Sequence, residues 1–336
     1  MRQNRFLTGV IVLSMLSLLL TPAIAAGEKD PVVGNWLLTS DFNGQPVHSL
    51  LMISKNDAGS YQGSWVSFWG INPVDDLKIE NGKISFSQTN RFRDREMKAA
   101  FAGTISDGKL TGTMTSDQRE NEMTGSLIKP LPPVVGTWEF RRQRQDREFV
   151  STLTISCDKN GTFSADWKSQ RNNAQDNGQN NPWEISNVKY EDGKLSFTRK
   201  NTNPDRPFEM TYVLTADNNT ISGTTTTPRG EREIEGKRLH GDLIGMWELT
   251  MTSDFGQRKQ LLWVRPDMTA MFGATDVGTI QDENGQVSFS YELSFGDRSF
   301  ENAFKGTLQD GTLTGEMSNA RGSQQVTGKK MPPPKK

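Results

Sequence analysis

The sequence predicts an all-β protein: three tandem small eight-stranded antiparallel up-and-down β-barrels behind a signal peptide. Three observations carry that expectation. The string Val33-Gly34-Asn35-Trp36 returns as Val135-Gly136-Thr137-Trp138 and again as Ile244-Gly245-Met246-Trp247. A second string, Asn81-Gly82-Lys83-Ile84-Ser85-Phe86, returns as Asp192-Gly193-Lys194-Leu195-Ser196-Phe197 and Asn284-Gly285-Gln286-Val287-Ser288-Phe289. Around these strings run short alternating stretches divided by Asn-Gly, Asp-Gly or Asn-Asn turns, with little helical periodicity.

Constant spacings make these strings one repeating unit. From each Trp, 17 residues lead to Ile53, Ile155 or Val264. From each signature Phe, 15 residues lead to an aromatic: Phe101, Tyr212, Phe304. A step of 26 reaches Gly112, Gly223 and Gly315, and a further 13 reaches Gly125, Gly236 and Gly328. The Trp-to-Phe distance varies instead, being 50, 59 and 42 residues. In the second unit the extra length is a loop rich in Asn and Gln, from Lys168 to Pro182. Function varies in loops on a fixed scaffold, so that loop and the stretch from Trp65 to Trp69 are the places to search.

The expected units cover 31–129, 134–238 and 243–330, joined by a stiff linker, Lys129-Pro130-Leu131-Pro132-Pro133, and a shorter one, Leu239-His240-Gly241-Asp242. Residues 331–336 read as a disordered tail. In the first unit the strands fall at roughly 34–42, 47–55, 60–69, 74–80, 83–90, 96–106, 109–116 and 121–129. A local meander of this kind protects its edges best by closing.

Residues 1–25 read as a cleavable secretory signal peptide. Arg2 and Arg5 precede an uncharged apolar run, Phe6 to Leu20, and Thr21-Pro22-Ala23-Ile24-Ala25 supplies a small-residue cleavage site. The run is short of the ~20 residues a membrane span needs. No Cys stands at its end for a lipid anchor, and no later apolar run is long enough to span. A secreted or periplasmic mature chain without a transmembrane segment is expected. Its single Cys157 allows no internal disulfide and reads as a small buried strand residue.

Losing Arg2 and Arg5 leaves 37 basic against 40 acidic side chains, a net charge of −3. Nucleic acid would want a strongly basic face, so it is excluded as a partner. With two His and one Cys, the chain offers neither a zinc cluster nor a Cys/His nucleophile. It shows no nucleophile elbow and no phosphate loop. No catalytic residue, metal or cofactor is assigned.

Alternation identifies the inner face. Third strands read Tyr61, Gly63, Trp65, then Phe163, Ala165, Trp167, then Met268, Ala270, Phe272. The other face of the second unit carries Ser164, Asp166 and Lys168 and must be wet. In the first unit, alternation puts Trp65 and Trp69 inside, with Val66 and Phe68 outside. Those two are apolar on a face that the second unit keeps polar. They mark an interface with a neighbouring unit, or a patch for a ligand or partner. Trp69 near a barrel mouth, and Trp183 beside the Asn/Gln loop, could stack on a sugar ring.

An Asp-Arg pair recurs in register: Asp94-Arg95, Asp205-Arg206 and Asp297-Arg298. Each is a turn-forming Asp with a surface ion pair, or else a rim of guanidinium groups for carboxylates and sugar hydroxyls. The basic run from Arg141 to Arg147 contains Asp146 and reads as a solvated hairpin face. Candidate ligand-binding residues are therefore Trp65, Phe68, Trp69, Arg95, Trp167, Trp183, Arg206 and Arg298.

A Gly-x-Trp opening an eight-stranded barrel resembles the lipocalin and calycin group. There the Trp closes one barrel end beside a basic residue of the last strand. The corresponding residues here would be Lys129, Arg238, and Lys329 or Lys330. The units are below lipocalin length and lack its Thr-Asp-Tyr turn motif and terminal helix. They are more similar to avidin-sized barrels, as in Lys109-Leu110-Thr111-Gly112-Thr113. The resemblance implies a barrel fold and ligand binding, and no biotin-contacting residue is carried over. Interiors of this size are filled by side chains or hold one small ligand. The function expected is non-catalytic binding of a small molecule, a glycan-like ligand or an envelope protein. The alternatives are a structural envelope protein with filled barrels and a carbohydrate hydrolase using loop carboxylates.

Overall fold

The structure, a computed structural model, describes residues 30–92, 95–117, 119–170, 183–205, 207–253, 256–295 and 298–332. The expected signal peptide lies outside them. Residues Pro31–Lys336 form one compact unit. The described residues contain three antiparallel sheets of nine, eight and nine strands. In each sheet the strands pair in chain order, and the first also pairs with the last. The closing ladders join Gly34–Phe42 to Arg119–Leu127, Gly136–Arg144 to Gly230–Arg238, and Gly245–Ser253 to Gly322–Lys330. Each sheet is thus a nearly closed up-and-down barrel.

The seam lies elsewhere: between Gly70–Pro73 and Asp75–Glu80, between Phe163–Gln170 and Trp183–Glu191, and between Thr275–Thr279 and Gln281–Glu283. Single bonds tack it shut, Val74 N–H to the Gly63 carbonyl at 3.1 Å and Ile280 N–H to the Met268 carbonyl at 2.9 Å.

The ninth strand in the outer two barrels is a departure from the expected eight. The strand expected over 60–69 ends as Tyr61–Ser67, turns at Phe68 and Trp69, and returns as Gly70–Pro73. Gly70 makes the turn with φ of +127°, a value that L side chains rarely adopt. Alternation therefore stops at Ser67. Trp65 is buried as expected, but Trp69 does not share its inward side and is 56% exposed.

The spacing rule has a packing cause. The two aromatics 15 residues apart are cross-strand partners whose rings stack: Phe86 on Phe101 at 5.0 Å, Phe197 on Tyr212 at 4.6 Å, Phe289 on Phe304 at 5.1 Å. At Gly112 and Gly315 a Cβ would drive into the Phe101 and Phe304 rings, at 2.5 and 2.9 Å. At Gly125 and Gly328 it would strike Leu38 and Leu249 of the first strand, at 2.9 and 2.6 Å.

Trp36, Trp138 and Trp247 are fully buried at one end of each barrel. Each indole N–H donates to the carbonyl four residues earlier, Val32, Val134 or Leu243, at 2.8–2.9 Å. Register sets the last-strand residue opposite: Leu127, Arg238 and Lys330. Arg238 lies 3.9 Å above the Trp138 ring and Lys330 5.7 Å above Trp247. The first barrel departs from the expectation, because the register puts Leu127 and not Lys129 at that position. Cys157 departs as well, being half-buried at the end of its strand.

The first and third barrels meet on their outer faces. Leu37, Leu50 and Val66 are neighbours across three strands, and Leu50 and Val66 are fully buried against Leu261 and Ala274 of the third barrel. The second barrel carries Glu139, Thr152 and Lys168 in that row and leaves Lys168 in water.

Replacing Gly315 with Val tests the ring-over-glycine packing. A Cβ there would lie 2.5 Å from the Gly306 Cα as well as against the Phe304 ring. The variant should lose about 2 kcal/mol in equilibrium denaturation. An unchanged midpoint would remove this explanation of the repeated glycine.

Candidate binding site between the first and third barrels

The third strand of the third barrel, Thr269–Phe272, is cut short. Its ladder stops at the Leu262–Phe272 pair, the equivalent of Leu51–Trp65, whereas the first barrel continues through Leu50–Val66. The first barrel's turn sits beside the gap. Gln260, 2% exposed, donates to the carbonyls of Ser67 at 3.0 Å and Phe68 at 3.4 Å. Gly70 packs so closely on the Lys259 carbonyl that a Cβ would come within 2.5 Å.

Above this contact lies a cavity of about 570 Å³. The first barrel contributes Phe42, Val47, His48 and Phe68, and the third contributes Arg258, Gln260, Phe272 and Tyr291. Phe42, Val47 and Phe68 are 44%, 37% and 39% exposed, an unusual density of open apolar surface. Trp69 stands edge-on to Phe68 at 5.5 Å, so it borders this cluster without lining the cavity.

The polar groups of the cavity differ in availability. Gln260 is committed, since its Oε1 also accepts from the Leu261 N–H at 3.0 Å. His48 Nδ1 lies 3.0 Å from Thr39 Oγ1, and Glu292 accepts from the Ser299 hydroxyl. Arg258 is different: its Nε is buried and has no hydrogen-bond partner. Burial pulls its pKa down, and an arginine remains charged regardless. Beside it burial raises the Tyr291 phenol to about 12, the nearby guanidinium opposing the rise. Among its described lining residues the cavity therefore offers a cation with an unpaired Nε, a neutral phenol and aromatic walls.

Among the described residues it offers no paired carboxylates, and Glu292 is the one acid in its lining. A neighbouring depression holds Glu292 and Glu301, which are cross-strand partners on one exposed wall. Glycosidic hydrolysis needs two acids facing across a cleft, and Glu292 and Glu301 stand on the same wall. Among the described residues no group of three His, Cys, Asp or Glu side chains could hold a metal ion. None of their helices is long and apolar enough to cross a membrane.

The remaining sequence candidates scatter. Trp65 packs in the first core, 5.8 Å from Phe86. Trp167 and Trp183 come together in the second barrel around a residue the sequence reading missed, Arg199, at 5.2 and 4.6 Å from its guanidinium carbon. Arg206 and the side chains of Arg95 and Arg298 lie outside the described residues. Among the candidates whose side chains are described, Phe68 alone lines the junction cavity.

A signal for the missed residues was present. Two positions past each signature Phe stand Gln88, Arg199 and Tyr291, all facing inward and 5%, 8% and 9% exposed. One inner position thus carries three different polar heads in three copies of one barrel.

No family model matches the chain, and no curated protein matches it. Among solved structures it is similar to a candidate outer membrane protein of Bacteroides fragilis, at 11% identity over 89% of this chain and 98% of that one, with a TM-score of 0.23. It is similar also to a transferrin binding protein B double mutant from Haemophilus parasuis, at 11% identity over 88% and 75%, TM-score 0.21. A third is isotype 1 transferrin binding protein B of Neisseria meningitidis, at 8% identity over 89% and 76%, TM-score 0.16. With scores this low, the fold assignment rests on strand order and register alone.

The Tyr291 environment predicts an alkaline response. The phenol ionises near 10 when free and at about 12 in the fold, so the folded state keeps its proton longer. Stability is then lost as pH rises from 10 to 12, by about 2–3 kcal/mol. Tyr291→Phe should abolish that part of the loss in denaturant titrations across this range. Parallel pH profiles for the two proteins would contradict the assigned environment.

Proposed function

We propose that the protein is an exported, non-catalytic binding protein that takes a small organic ligand in the cavity between its first and third barrels. One observation carries the reading: a cavity walled by Phe42, Phe68 and Phe272 holds a guanidinium whose buried Nε has no partner. Buried donors without partners are rare, because leaving one unmade costs about 1–3 kcal/mol. A ligand with a flat apolar body and an acceptor or anionic group would satisfy Arg258 while covering the exposed phenylalanines. A sugar ring or another ring-bearing acid fits that description. The apparent signal sequence supports a secreted or periplasmic site of action. The indole-and-cation plug in the second and third barrels supports kinship with the calycin group.

A second reading has its own support. The barrel interiors are packed with stacked aromatics below the mouth, which favours a structural envelope protein whose barrels are solid and whose surfaces meet other proteins.

Native mass spectrometry of the protein purified from its own source separates the two. The binding reading expects a small mass that stays with the wild type, falls away in Arg258→Met and Phe68→Ala, and remains in Trp69→Ala. A mass that stays in all three variants, or a wild type that never carries one, would sink the cavity as the functional site.

A further inference from the structure

The second barrel contains a separate polar cluster that the junction cavity does not explain. Arg199 is 8% exposed and its Nε has no hydrogen-bond partner. The Nε1 of Trp167, 6% exposed, and the Oγ1 of Thr225 are also buried without partners. The three belong to one layer. Arg199 stands over the Trp167 ring, Trp167 lies 5.2 Å from the Tyr212 ring, and Tyr212 is the cross-strand partner of Thr225. Among the described residues no carboxylate pairs with Arg199; burial pulls its pKa down, opposed by the Tyr212 phenol, which accepts a hydrogen bond from the guanidinium and leaves the Nε unpaired.

Comparison between copies sharpens the point. Register makes Thr225 the equivalent of Met114 and Met317, since each stands opposite the second stacked aromatic. It makes Arg199 the equivalent of Gln88 and Tyr291. The first and third barrels fill the Met position with a long apolar side chain, 8% and 4% exposed. The second barrel alone puts a short hydroxyl there, in the layer of its own buried cation, Arg199. A buried cation without a counter-charge is strongly destabilising, so a buried guanidinium beside two further unpaired donors calls for an anion.

We propose that the second barrel binds a small carboxylate, with Arg199 as its counter-ion and Trp167 Nε1 and Thr225 Oγ1 as further donors. One cation in the described lining suits a singly charged group better than a phosphate dianion. The Trp167 and Trp183 rings lie 5.2 and 4.6 Å from the guanidinium carbon, and the unpaired Nε remains for the planar fork geometry of a carboxylate.

Acetate is the probe. In saturation-transfer NMR on the full chain, the acetate methyl signal should respond to irradiation of the wild type. It should vanish in Arg199→Met, which removes the buried charge and should fold at least as well as the wild type. Thr225→Met keeps Arg199 but restores the filling of the other two barrels, and it should also lose the signal. Arg258→Met, which alters the junction cavity, should keep it, so this site and the junction site fail or stand separately. The proposal is overturned by a silent wild type, which would mean the chain itself neutralises Arg199, or by transfer that persists in Arg199→Met or Thr225→Met.

Discussion

Everything in this molecule depends on one ladder made three times, the pairing of the first strand of a barrel with its last. A meander of eight or nine strands has two free edges, and free edges invite association. Here the chain ends of each repeat meet, so the closing pair is also where each repeat begins and stops. The buried Trp locks that pair. Its ring fills the barrel end, and its N–H is consumed by a carbonyl four residues back, before the strand begins. Gly34, Gly136 and Gly245, all at positive φ, let the last-strand residue lie against the backbone beside it. Substituting that residue changes the plug from Leu127 to Arg238 to Lys330 without changing the closure.

Closure at the Trp end leaves the other end free to diverge. Near the Trp, the inner positions repeat their chemistry: stacked aromatics, aliphatics, and glycines that make room for rings. Farther up, the same inner position is Gln88, Arg199 or Tyr291. A residue that only had to fill space would be apolar in all three, as the stacked pair below it nearly is. Three different polar heads on one scaffold position mean that the three mouths are not interchangeable.

Much of the fold was legible in the sequence because a closed meander converts spacing into register. Fixed intervals from the signature Phe to Phe101, Tyr212 and Phe304, and on to the glycines, are distances around a hairpin, and the structure pairs those residues directly. Less of the site was legible. Alternation was carried through Trp69, although Gly70 breaks the strand there. Lys129 was read as a plug from its charge, whereas register selects Leu127. Arg199 and Tyr291 escaped notice because a repeat is found by what stays the same, and these residues are what changes. The contact of Val66 with the third barrel could be read as an anomaly of polarity, but no periodicity names the partner of an outer face.

That contact ties the candidate cavity to the repeat architecture. The first barrel has apolar side chains on the outer row where the second has Glu139, Thr152 and Lys168, and burying Leu50 and Val66 fixes the two barrels side by side. The shortened third strand of the third barrel then leaves room at its mouth. Gln260 fills part of that room by bonding to the Ser67 and Phe68 carbonyls, which aims Phe68 toward Arg258, 5.9 Å from its ring. The exposed phenylalanines, Phe42 and Phe68, therefore come from the first barrel, while the third supplies Phe272, Tyr291 and the cation. Neither barrel alone encloses the cavity, so the packing of the first repeat against the third is a precondition of the site.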